Sequence, residues 1–95
     1  MHHLPEAEAA RRRALQIREQ VAAADPNDRT AAGSVGRSHC LLADILTEEE
    51  QWKAAAAEYR AGIAVLEPLK GPDLVPVLID CMEGRKAVLP HLQRR

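Results

Sequence analysis

The side chains here that could support chemistry are few: four histidines and two cysteines among 95 residues. His39 and Cys40 are neighbours, an arrangement that first suggests a thiol with a base beside it. On a helix, consecutive residues point about 100° apart, so the imidazole does not face the thiol. No third orienting group or oxyanion loop is visible either. With Cys81 and His91 added, the four would make a ligand set, but their spacing does not resemble a zinc pattern. His39 is therefore expected to be structural, and Cys40 and Cys81 to be simply buried. Two cysteines imply no disulfide framework, and a reduced, cytoplasmic protein is the expectation. His2 and His3 read as a frayed terminus rather than a metal pair. No catalytic, cofactor-binding or metal-ligating residue emerges, so no cofactor is expected and the chain does not read as an enzyme.

The charges point the same way. Arg11-Arg-Arg13 would spread around a helix instead of forming one patch, and no aromatics interleave for base stacking. Arg94-Arg95 suits the carboxyl end of a helix. Gly33-Ser-Val-Gly36 lacks the following lysine and the preceding strand of a phosphate loop. With 28% charged residues and a formal net charge of −1, nothing steers the chain toward nucleic acid or an anionic membrane. No apolar run approaches the ~20 residues that span a bilayer, and the first residues lack the basic start and apolar stretch of a signal peptide.

What positions these residues is helical. Hydrophobic residues make up 46%, much of it Ala, and the only aromatics are Trp52 and Tyr59. Small knobs suit helices that approach closely and suit sandwiches or barrels poorly. One all-α domain over 1–95 is expected, with helices over 5–24, 28–46, 48–69 and 73–92. The first has an apolar stripe of Ala10, Ala14, Ile17, Val21 and Ala24, widened by Leu15. Asp25-Pro26 ends it, and Asn27 or Asp28 can cap the second. The second is weak where Gly33, Ser34, Gly36 and Ser38 lower its propensity, residues that instead allow a close backbone. Val35, Leu42, Ile45 and Leu46 give it a buried stripe. Thr47 and Glu50 can form a capping box for the third helix. Trp52, Ala56, Tyr59, Ile63 and Leu66 mark its core face, and Gly71 is placed as a left-handed cap. In the fourth, Leu74, Val77, Leu78, Cys81 and Met82 are the expected core, and Pro76 is tolerated in the first turn.

The chain also repeats itself. Ala14-Leu-Gln-Ile-Arg-Glu19 precedes Gly62-Ile-Ala-Val-Leu-Glu67 by 48 residues, each after an Ala-rich, Arg-bearing stretch, and such a period marks stacked helical hairpins. From His39 to Pro68 the chain resembles a tetratricopeptide repeat. Large, Leu, small and large positions read His39, Leu42, Ala43 and Leu46; the second helix reads Trp52, Ala55, Tyr59 and Gly62. Pro68 stands for the closing proline, and Asp25-Pro26-Asn27 looks like an inter-repeat linker, which makes helix one the second helix of an earlier repeat with Ala7 and Ala14 at its small positions. The chain departs from the pattern at Glu50, where the turn usually has glycine, at Arg11, where an aromatic belongs, and in its spacing, longer than the usual 34. That longer spacing looks like the repeats attached to some bacterial serine/threonine kinases and regulators.

The resemblance implies a short α-solenoid of about four antiparallel helices, a scaffold or adaptor that binds a partner protein or peptide through its groove. Carried over by offset, the groove-facing positions are Arg37, Cys40, Asp44 and Glu48, where an Arg and a carboxylate on one ridge would hold a peptide end or an opposite charge. Two alternatives stand beside this: a regulatory or ligand-sensing segment of a signalling protein, and a plain helical bundle that self-associates. A terminal piece of a repeat array needs caps or neighbours, so a homo-oligomer is among the expected partners, and nucleic acid and membrane are not.

Overall fold

A computed structural model describes residues 4–93; His2, His3 and the Arg94-Arg95 tail lie outside them. Four α-helices follow one another: α1 (Leu4–Ala24), α2 (Arg29–Glu48), α3 (Trp52–Leu66) and α4 (Val75–Leu92), with a 3-10 turn over Glu67–Leu69 after α3. No strand occurs among the described residues. Each helix packs on the next in the chain, and α2 also touches α4. The result is an elongated body of 42 × 26 × 21 Å.

Cross-helix pairs fix the register. Arg18 lies against Ser38 and Glu8 against Glu49, so α1 and α2 are antiparallel. Asp44 faces Tyr59 and His39 faces Glu58, and Gly36 faces Leu66, which makes α2 and α3 antiparallel. Tyr59 against Gly84 and Trp52 against His91 do the same for α3 and α4. Arg29 meets Asp73 and Cys40 meets Cys81, so α2 and α4 run parallel. These are consecutive helical hairpins, as the sequence suggested.

The core lies where α2, α3 and α4 converge. Leu42, Ala43, Leu46, Ala55, Leu66 and Val88 are fully buried and Tyr59 is 3% exposed. Each large aliphatic among them contributes about 1.5–3 kcal/mol relative to exposure. The weak opening of α2 is explained by proximity. A Cβ at Gly62 would collide with the Cys40 sulfur and lie 2.8 Å from the Gly36 carbonyl oxygen, and one at Gly36 would lie 2.6 Å from Leu66 Cγ. The glycines give up helix propensity so that α2 and α3 can nest. Ala55 and Gly62 fill the seam as expected, with Tyr59 beside them. Trp52 is only half-buried and stacks on the His91 ring, centroids 3.7 Å apart and planes 9° from parallel.

Asp28 caps α2, its carboxylate accepting from the Ala31 amide at 3.1 Å. Other local expectations fail for tertiary reasons. The Thr47–Glu50 capping box does not form: α2 runs through to Glu48, and the Thr47 hydroxyl donates back to the Ala43 carbonyl at 2.9 Å. Glu50 takes φ 60°, the left-handed turn at the position where the resembled repeat has glycine, and α3 begins only at Trp52. Gly71 is not a left-handed cap, since none of the described glycines has positive φ; α3 instead tightens into the 3-10 turn and stops at Lys70, whose ψ is 138°. Met82 is 48% exposed, and Val88 takes the core place expected of it.

The stripe expected to be buried on α1 faces outward: Ile17 and Val21 are 51% and 56% exposed, and Ala10 and Ala24 are exposed too. α1 packs chiefly on α2 and brings Leu15 and Ala22 to the core. The largest correction concerns the thiols. Cys40 and Cys81 are buried, but they are joined in a disulfide with Cα atoms 5.7 Å apart, within the usual range for such a bridge. It ties α2 to α4 across 41 residues, and no free cysteine remains.

Candidate functional site

The parallel pair α2 and α4 leaves a trough between them. Its deeper part, about 160 Å³, is lined by Arg37, Cys40, Leu41 and Asp44 of α2, Tyr59 of α3, and Val77, Asp80 and Cys81 of α4. A second cleft of about 210 Å³ shares Arg37 and Val77 with it and continues to Arg29 and Asp73. Helical periodicity explains the α2 wall, because residues three and four apart lie on one ridge.

Three of the four expected groove residues therefore meet in one place, each in a different state. Arg37 is exposed and makes no ion pair or hydrogen bond with the described residues. Cys40 is 6% exposed and its sulfur is bonded to Cys81, so it shapes the floor and offers no thiol. Asp44 accepts a hydrogen bond from the Tyr59 hydroxyl. Glu48 does not line the trough and stands exposed at the end of α2. The resemblance carried the site one turn too far, beyond the reach of α4.

Burial, and then the bond to Asp44, push the Tyr59 phenol up to about 12. Tyr59 is thus held in its neutral form, and Cys40 and Cys81 are spent on each other, so neither group is an activated nucleophile. At the trough's mouth Arg29 donates two bonds to the Asp73 carboxylate, at 2.7 and 3.0 Å, and a third to the Leu69 carbonyl at 2.6 Å. The pair raises the Arg29 pKa and lowers that of Asp73, each through the hydrogen bond to the other. Across α2, His39 Nδ1–H donates to Glu58 at 2.7 Å, the structural role expected of it. Among the described residues no group of three or more His, Cys, Asp or Glu gathers to hold a metal ion, and no helix is long and apolar enough to cross a membrane.

Sequence reasoning missed Val77 and Asp80, the α4 wall. No local pattern marks them, since their place depends on how α4 docks. The Arg29–Asp73 clasp spans 44 residues and was equally hidden. No family model matches the chain, and neither a curated protein nor a solved structure does. What the fold and the trough define is a class: a small all-α helical-hairpin protein with a mixed-charge groove.

Proposed function

We propose that the protein is an interaction module of tetratricopeptide-like build that holds an extended partner peptide in the trough between α2 and α4. The observation that carries this reading is the convergence of Arg37, Asp44 and Asp80 around the apolar patch of Leu41 and Val77. An apolar floor with charges of both signs at its rim binds a segment by shape and selects it by charge. The parallel helices place equivalent faces side by side, which suits a chain running along them. A buried disulfide is of the kind that persists in oxidising compartments, which argues against the reduced cytoplasm expected from the cysteine count.

The test is a peptide-display selection on the purified chain, followed by Arg37→Glu and Asp80→Lys, two exposed positions whose reversal leaves the core intact. Selected peptides should weaken on both variants and regain binding when their own complementary charge is reversed. Peptides indifferent to both changes sink the trough as the binding site.

A second reading rests on the open ends. Ile17 and Val21 on α1, and Ile79, Met82, Leu89 and Leu92 on α4, are 39–56% exposed. Stacked hairpins leave such faces bare at both ends, which favours head-to-tail self-association. Light scattering over a concentration series tests it, and a constant monomer mass removes it.

A further inference from the structure

The antiparallel pair α1 and α2 forms a third cleft, of about 400 Å³, lined by Arg11, Arg18, Ser34, Arg37, Ser38 and Leu41. Three guanidinium groups and two hydroxyls meet there and no carboxylate lines it, in a chain whose net charge is only −1. Arg12 is paired with Glu8 at 2.7 Å and Arg29 with Asp73 at 2.7 Å, and neither lines this cleft. Arg11, Arg18 and Arg37 have no ion pair among the described residues. Arg18 is held in place, donating to the Ser38 hydroxyl at 3.2 Å. Ser38 is itself 4% exposed, and its own proton goes to no acceptor among the described residues, which leaves it to donate into the cleft.

The internal repeat sharpens the point. Its 48-residue offset matches Arg11 to Tyr59 and Arg18 to Leu66. In α3 those positions are 3% and 0% exposed and build the core. On α1, which packs on α2 and has no second helix over it as α3 has α4, the same positions are exposed and carry two cations.

The geometry points to a phosphomonoester site between α1 and α2, in which Arg11, Arg18 and Arg37 clasp the dianion and Ser34 and Ser38 donate to its oxygens. Planar guanidinium forks match phosphate oxygens two at a time, and the cleft admits the phosphate together with part of the group that bears it. The proposal does not rest on the peptide trough: Arg37 lines both, but Arg11 and Arg18 line only this cleft.

The experiment titrates the chain at constant ionic strength with inorganic phosphate, phenyl phosphate, a phosphoserine peptide and acetate, followed by amide chemical shifts and by the rise in melting temperature that binding brings. Phosphate-bearing probes should shift Ser34 and Ser38 amides and saturate, and acetate should not. Arg11→Gln and Arg18→Leu should each weaken binding about tenfold or more, whereas Arg13→Gln should leave it unchanged. Arg18→Leu restores the apolar residue of the repeat, so its helix content and melting temperature should hold or rise while binding falls, which separates lost recognition from lost folding. A phosphoserine peptide about tenfold tighter than phenyl phosphate assigns the ligand to a phosphorylated protein; equal affinities assign it to small phosphate esters. Acetate binding as well as phosphate, an equal loss in Arg13→Gln, or no saturable shift overturns the site.

Discussion

The two seams on either side of α2 are built in opposite ways. Toward α3 it presents Gly36, Cys40 and Asp44, which meet Leu66, Gly62 and Tyr59, and toward α4 it sends the covalent cross-link. Toward α1 it meets one buried leucine, Leu15, a bond from Arg18 to Ser38, and a polar cleft. At the far end of that seam Glu8 approaches Glu49. Arg12 holds the Glu8 carboxyl below its ordinary value, while desolvation, followed by the bond to Glu8, raises that of Glu49. The contrast teaches that one helix can serve two purposes: one side spends its surface on stability, and the other keeps charges at positions where its counterpart has core.

Breaking the cross-link should have the largest effect. Joining residues 41 apart stabilises by about 4 kcal/mol in the chain-entropy account. Urea unfolding with and without reductant, or of the Cys40→Ser, Cys81→Ser double variant, should show a loss of that order. A loss below about 1 kcal/mol would mean that the unfolded ring gains little from being cut.

Gly62→Ala should come next. Overpacking costs about 1–3 kcal/mol, offset by up to about 1 kcal/mol of helix propensity, for a net loss of about 1–2 kcal/mol. Gly33→Ala is the control, since a Cβ there meets only the tip of Leu74 at 3.3 Å, and it should be neutral or stabilising by thermal melts. Equal effects at the two sites would erase the claim that the α2–α3 approach is the tighter.

Tyr59→Phe removes one hydrogen bond and should cost about 1 kcal/mol. Its pH signature is more specific. The phenol's folded value, about 12, lies above the ordinary 10.0, so the folded state holds the proton more tightly than the unfolded one. The resulting stability is complete below pH about 10 and is lost as pH rises toward about 12. As the only tyrosine in the chain, it can be followed by tyrosinate absorbance without interference. Titration at the ordinary value would place the ring in water.

The smallest change is expected on the outer face of α1. Ile17→Ser with Val21→Ser should move stability by less than about 0.5 kcal/mol, because both side chains are half exposed or more. Native-state hydrogen exchange gives the complementary view: amides of α1 should exchange well before those of α2 and α3, and simultaneous exchange would dissolve the distinction between the seams.

The sequence announced helices, their number and most of the central core, because Leu42, Leu46, Ala55, Tyr59 and Leu66 recur with the helical period and that period is local. Arg37, Cys40 and Asp44 of the trough came from the repeat resemblance by offset, and Leu41 between them was not among the expected positions. The sequence misplaced the face of α1: periodicity shows that a helix has an apolar side, but with one main neighbour the register against α2 decides which residues are covered, and Leu15 prevails over Ile17 and Val21. It could not join Cys40 to Cys81 or set Asp80 opposite Asp44, since both depend on where α4 docks. The capping box at Thr47 failed because one further turn of α2 competes for the same residues and wins.

The sulfur bridge makes a closed loop of residues 40 to 81, with all of α3 strung on it and α1 left outside. A tether pulling the chain by its two ends would peel away α1 and the end of α4, then meet a covalent stop. About 140 Å of fully drawn-out polypeptide would stay hidden from the pull until a reductant opened the loop, and a nick in either turn flanking α3 would leave the pieces fastened together.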